Sequence, residues 1–297
     1  LQKVHKDPTY TRSGYNWIMY YVHRWLRLTP AYVFFIFFVI AWIPRMNGGL
    51  ARARPQLMKR IVQKCEDNWW MNALYINNFK TSNEMCYGIS WFLSVDMQLY
   101  WTAPIFLLAL HYSWKSGLGA AVVGVISSTA TIVFLTAHFD LPAMSYNTYM
   151  PHGNLDQLRL NYSNYIYNMP WTRCIPYLIG ILCGYLIILV KKKNVEIRRP
   201  KKWHLVGGWL LATLSALIVV FGVYNYIRGA ATWGVGLRSA YAAFSRIGSS
   251  AAVAWVVLAC AFDWAGPVKT LLEHPLWQPL GRLSYCAYLV HFFVLLV

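Results

Sequence analysis

Polar turns divide this chain into seven apolar stretches, most of them long enough to cross a bilayer as a helix. They cover about Tyr20–Ile43, Trp91–Leu110, Gly117–Thr136, Trp171–Val190, Trp203–Tyr224 and Ser239–Ala261. A seventh opens near Gly281 and is cut by the end of the sequence. In hydrocarbon the backbone must satisfy its own hydrogen bonds, so apolar runs of this length read as helices. The pattern predicts an all-α fold, a polytopic transmembrane helical bundle of about seven spans. The third span, GLGAAVVGVISSTATIVFLT, is rich in small residues, which let membrane helices approach closely. Pro30 and Pro104 lie inside spans, where proline removes a hydrogen bond and bends the helix. Residues 44–90 and 137–170 read as long polar loops, and KKKNVEIRRPKK (191–202) as a solvated turn.

Composition sharpens the class. The chain is 58% hydrophobic and 12% charged, whereas soluble domains carry about 25% charged residues. A net charge of +17 would point to nucleic acid in a soluble chain. Here the basic residues crowd loops beside apolar spans, where they set orientation, so nucleic acid is not expected as a partner. With the first residues cytosolic, 15 Lys and Arg fall on the cytosolic side, 11 on the opposite side, and Arg246 lies within a span. This orientation puts 44–90 and 137–170 outside and 191–202 inside. Residue 1 is Leu and the last residues stop within an apolar run, so the expectation is a fragment truncated at both ends.

Two features agree with the orientation. Asn161-Tyr162-Ser163 is a glycosylation sequon on the expected outer side. Cys65 and Cys86 share the outer loop 44–90, where an oxidising compartment allows a disulfide. The other four cysteines fall in or near spans and read as packing residues. With no CxxC or HExxH pattern, no metal site is expected.

The stretch CEDNWWMNALYINNFKTSNEMCYGISWFLSVDMQLYWTAP, Cys65–Pro104, concentrates the candidate chemistry. Its rings crowd the start of a span, as at a membrane interface. Asp96 and Gln98 then enter the apolar run, and an acid there is a functional-site hypothesis by default. Arg246 is a second intramembrane charge. Counted from span entries at Ile89 and Arg238, Asp96 and Arg246 are each roughly 10–12 Å deep from the same side, which makes them expected partners. A structural ion pair and a functional one fit equally well. Gln98 reads first as a packing residue with a solvated amide. Arg24 and Arg27 are three apart, on one helix face at the cytosolic end. Spacing alone favours topological anchoring, and a phosphate clamp is the sharper alternative. His291, ten residues into the last span, could exchange protons near neutral pH, though a lone helical His is more often structural.

Four segments carry a resemblance: YYVHRWLRLTPAY (20–32), CEDNWWMNALYINNF (65–79), MCYGISWFLSVDMQLY (85–100) and PLGRLSYCAYLVH (279–291). Together, in this order, they resemble the acyltransferase-3 family, in its animal nose-resistant-to-fluoxetine-like branch. The resemblance implies one acyltransferase-3-like membrane domain over 1–297. It implies transfer of an acyl group from acyl-CoA, as co-substrate, to a lipid or other small hydroxylated acceptor. No bound cofactor is implied. Arg24 and Arg27 correspond to the family's basic cytosolic motif and would bind the donor. Trp91, Asp96, Gln98 and Tyr100 correspond to the branch's aromatic-acid signature, and His291 to a late-helix motif. Asp96, Arg246 and His291 are therefore the catalytic candidates, and Trp91, Gln98 and Tyr100 join the arginines as substrate-binding candidates. The principal catalytic His is expected upstream of this sequence. The surroundings are membrane lipid, in the plasma membrane or endoplasmic reticulum. A lipid or xenobiotic transporter is the alternative, since intramembrane charges and bent helices serve transport too.

Overall fold

The structure is a computed structural model and describes residues 13–45, 55–144, 155–193 and 200–296. Among the described residues there are helices and no strands. They are α1 (Gly14–Trp42), α2 (Pro55–Ala73), α3 (Trp91–Tyr112), α4 (Trp114–His138), α5 (Leu155–Tyr162), α6 (Pro170–Lys193), α7 (Lys202–Phe221), α8 (Tyr224–Ile227), α9 (Val235–Ala261), α10 (Pro267–Leu272) and α11 (Trp277–Leu296). Six have the length and apolarity to cross a membrane: α1, α3, α4, α6, α7 and α9. The seventh expected span is α11, helical but outside that set. The middle of the basic turn, 194–199, lies outside the described residues, as do 46–54 and 145–154 of the two long loops.

The apolar surface shows what solvates these helices. On α7, Leu210, Leu211, Leu214, Leu217, Ile218, Val220 and Phe221 are all exposed. A helix apolar on all sides that buries almost none of its surface in protein belongs in lipid. The chain is a polytopic transmembrane helical bundle.

The described residues form two compact units. One runs up to Trp101 and resumes at His274; the other is Thr102–Glu273. In the first unit, α1 contributes the buried stripe Tyr32, Phe35, Ile36 and Val39, at helical spacing, and Ile43 extends it in the 3-10 turn that follows. α2 answers with Met58, Val62 and Cys65, and α11 with Leu289 and Phe293. α2 lies where the sequence reads as a polar loop. Its charges hide a three-residue stripe, and Pro55 opens it at a position where no amide donor is needed. Cys65 and Cys86 form the expected disulfide, Cα to Cα 4.0 Å, and tie α2 to the segment that leads into α3.

In the second unit α4, α6 and α9 pack on one another, with Ile132, Ile175, Ala242 and Ala243 at their centre. Arg238 opens α9 and is almost fully buried. It donates to the Asp140 carboxylate (2.6 Å) and to the Leu141 carbonyl (3.0 Å), fastening the end of α4. α7 reaches α9 through Gly208, where an added Cβ would lie 2.1 Å from the Trp255 ring. Gly208→Ala is therefore expected to destabilise this unit by about 1–3 kcal/mol, the usual cost of overpacking. Thermal unfolding in detergent checks this; an unchanged midpoint would show that the helices separate freely.

Candidate functional site

α1 and α3 run antiparallel in the first unit, and their polar contacts move in step. The Tyr20 and Tyr100 rings stack at 4.3 Å. Four residues on along α1 and four back along α3, the Arg24 guanidinium pairs with the Asp96 carboxylate. Tyr100 and Asp96 are themselves one turn apart, so the Arg24 guanidinium also lies over the Tyr100 ring, 4.1 Å from its centre. Such a cation–π contact adds to the ion pair where water is scarce. Both charged side chains are about a third exposed, so the pair opens onto a surface. Arg24 Nε is buried and makes no hydrogen bond.

A buried amide network backs this pair. Gln98 and Asn78 exchange two hydrogen bonds, at 2.7 and 3.1 Å, and Gln98 also donates to the Tyr75 carbonyl at 2.7 Å. Asn72 donates to the Tyr32 and Ser90 hydroxyls, at 2.7 and 2.9 Å. Asn77 donates to Ser90 at 2.9 Å and accepts from Ser94. Buried polar groups in such number favour one arrangement when they find partners, as these do apart from the Asn72 Oδ1, which is buried and makes no hydrogen bond. The network holds Tyr75 at φ +57°, a conformation that costs a bulky residue of order 1–3 kcal/mol. The Tyr75 hydroxyl meets Thr29 at 3.0 Å. Burial pushes the Tyr75 phenol above its usual range, with the Thr29 hydrogen bond and the Arg24 charge opposing, so it stays neutral at pH 7.

The sequence candidates fare unequally. Asp96 does not take Arg246 as its ion-pair partner; it takes Arg24. The depth estimate assumes that the α3 span starts at the membrane surface. Instead, Ser90 is linked through Asn72 to Tyr32, and Tyr87 packs on Phe35 at 5.6 Å, about midway along α1. The start of α3 is thus set back by roughly ten residues of helix, about 15 Å. That offset brings Asp96 level with Arg24. Arg246 belongs to the other unit, where its guanidinium donates to the Ala242 carbonyl at 3.1 Å.

Arg27 is exposed, so the twin arginines divide their work: one is held by Asp96 and the other faces outward. Gln98 is buried and its amide is fully engaged, which places it behind the site rather than at its surface. Trp91 packs edge-on against Phe92 at 5.9 Å. His291 is exposed, its Nδ1 against the Tyr288 carbonyl of its own helix. Asn161 ends α5, half buried, and accepts a hydrogen bond from Gln157 at 3.1 Å. Sequence reasoning missed the asparagines of the network and Tyr75. The signal was present: three asparagines in MNALYINNF, set among aromatic rings.

Spans, ion pair and network together define an integral membrane protein with a polar site between helices. The acyltransferase-domain family pattern matches residues 5–297. The chain belongs to the acyltransferase-3 family. It is 29% identical to nose resistant to fluoxetine protein 6 of Caenorhabditis elegans, over 94% of this chain and 34% of that protein. It is 28% identical to regulator of hypoxia-inducible factor 1 of the same organism, over 93% of this chain and 53% of that protein. The chain thus spans about a third and about half of these relatives. No solved structure matches it.

Proposed function

We propose that the chain transfers an acyl group from acyl-CoA to a hydroxyl of a lipid or other small acceptor, in the plasma membrane or endoplasmic reticulum. One observation carries the reading: Arg24 and Asp96, from helices far apart in sequence, form one partly open ion pair. Acyl transfer develops negative charge on a carbonyl oxygen, and a preorganised N–H donor stabilises it. The partly exposed Arg24 guanidinium is that donor, and the Asp96 carboxylate orients the acceptor hydroxyl. Arg27, exposed one turn away, takes the donor's phosphates, a task suited to the guanidinium fork. Tyr100 supports Arg24 from below, while Gln98 and Asn78 fix Tyr75 beside it. His291 and Trp91 belong to the same unit as lesser candidates.

The test is acyl-CoA turnover by the whole protein in membranes. Arg24→Gln and Asp96→Asn are each expected to lower turnover about 100-fold, the usual range for losing one oxyanion donor or proton acceptor. Arg27→Gln should raise KM for acyl-CoA and leave kcat nearly unchanged, because uniform binding alone is removed. Unaltered turnover in the Asp96 variant would reject the site. Movement of lipid between leaflets with no thioester cleavage would favour the transporter alternative.

A further inference from the structure

α2 carries charge into the depth of a membrane span. Tyr75 meets Thr29 at 3.0 Å, Asn72 meets Tyr32 at 2.7 Å, and the Trp69 ring meets Phe37 at 5.3 Å. Each step up α1 is thus a step back along α2, and the two helices run antiparallel. Carried on, the pairing brings Arg60 level with the end of the α1 span near Arg45. Asn68 lies about two helical turns, roughly 12 Å, further in. Charged side chains at such depth face water or a polar ligand, because hydrocarbon leaves them unsolvated.

A cleft of about 300 Å³ meets that need. Arg60, Lys64, Asp67 and Asn68 of α2 form one wall, and Lys80 and Glu84 of the segment after it form the other. The Asn68 amide donates to the Glu84 carbonyl at 3.2 Å and joins the two walls. Lys80 pairs with Glu84 at 3.9 Å. Arg60, Lys64 and Asp67 follow at spacings of four and three, on one helix face. Among the described residues these three form no ion pair. The cleft therefore offers two open cations and, one turn further in, an open carboxylate.

Depth then changes the character of the same face. Trp70 follows Asp67 by one turn, and the Leu74 amide donates to the Trp70 carbonyl at 3.0 Å. Both side chains are exposed. Charge at the end of the span and apolar surface beneath it is the order of head and chain in a lipid leaflet.

We propose that this cleft binds the head of an ethanolamine phospholipid, with its phosphate at Arg60 and Lys64, its ammonium at Asp67 and its chain along Trp70 and Leu74. Charge selects the head. Guanidinium and ammonium groups take phosphate through charge-assisted hydrogen bonds. A purely anionic head leaves the Asp67 carboxylate facing the lipid's own negative charge. A choline head has no N–H to give Asp67, and a quaternary ammonium is held by aromatic faces instead. Among the described residues no aromatic ring lines the cleft. On α1 the Arg24–Asp96 pair lies beyond the level of Tyr75, so the cleft is separate from it, and binding there is independent of acyl transfer.

Competition binding to the whole purified protein, in neutral detergent, tests this. The probes are the oleoyl lysophospholipids of ethanolamine, choline and glycerol, which share one chain and differ in head, and free phosphoethanolamine. The ethanolamine lipid should bind about tenfold more tightly than the other two, the value of one charge-assisted hydrogen bond. Asp67→Asn should erase that advantage. Arg60→Gln combined with Lys64→Gln should weaken all three lipids. Trp70→Ala should weaken the three lipids and leave free phosphoethanolamine as it was. All four side chains line an open cleft or an exposed face, so the variants should stay monodisperse. Equal displacement of the bound ethanolamine lipid by the choline or the glycerol lipid, on the wild type, would overturn the proposal without recourse to any variant. So would an ethanolamine preference that survives Asp67→Asn. Free phosphoethanolamine displacing the lipid as well as the lipid itself does would show that the head alone is recognised, and would overturn the lipid assignment.

Discussion

Replacing Cys65 and Cys86 together by serine is expected to cost about 3 kcal/mol of stability, a more than hundredfold shift toward the unfolded state. The bridge closes a loop of 21 residues, and the chain-entropy account gives that magnitude for such a length. Both cysteines are buried in the core of the first unit, beside Val62 and Tyr87. Loss of the bridge should be felt first in the segment between them, which holds Asn72, Tyr75, Asn77 and Asn78. The variant should therefore unfold earlier in detergent and lose acyl transfer before it loses helix content. Thermal unfolding with and without reductant, followed by circular dichroism and by turnover, checks both statements. Identical midpoints with and without reductant would mean that packing alone holds the segment.

Asp96→Ala is expected to destabilise the first unit by about 2 kcal/mol. Truncating one partner of a buried, hydrogen-bonded charge pair leaves the other charge stranded, at a cost of about 2–5 kcal/mol, against about 0–1 kcal/mol for an exposed pair. The partial exposure of both side chains puts this pair at the lower end of the first range. Arg24→Gln combined with Asp96→Asn should recover most of the loss, because no charge is then left alone. The exchange of the two residues, Arg24→Asp with Asp96→Arg, separates structure from catalysis. If the pair is purely structural, the exchanged protein should be as abundant and as active as the wild type. If it orients substrate, abundance should return while turnover does not, because the Arg24 guanidinium is displaced from its Tyr100 platform. Restored turnover in the exchanged protein would remove Asp96 and Arg24 from the mechanism.

The helices were readable along the chain because lipid imposes one rule on every residue of a span. The expected spans and the observed helices agree within a few residues, as with Trp91–Leu110 against Trp91–Tyr112. The disulfide was readable as well, since two cysteines in one polar loop leave few choices. α2 was hidden by its composition. Its Lys, Arg, Glu and Asp residues dominate the average, while the three-residue stripe that folds it gains meaning only against α1. Gln98 illustrates the same limit. Its identity marks it as unusual in a span, but whether its amide faces a substrate or the Asn78 amide depends on where residues 75–78 lie.

The sequence by itself determined a helical membrane bundle, the approximate limits of its spans, the cysteine pair and the residue types worth examining. These follow from local rules: span length, charge cost and the chemistry of each side chain. Only the tertiary structure decided which charges meet. Asp96 pairs with Arg24, while Arg246 donates to the Ala242 carbonyl of its own helix. The physical reason is the set-back of α3: Ser90 and Tyr87 sit against the middle of α1, so depth counted from the edge of a span misplaces every residue after it.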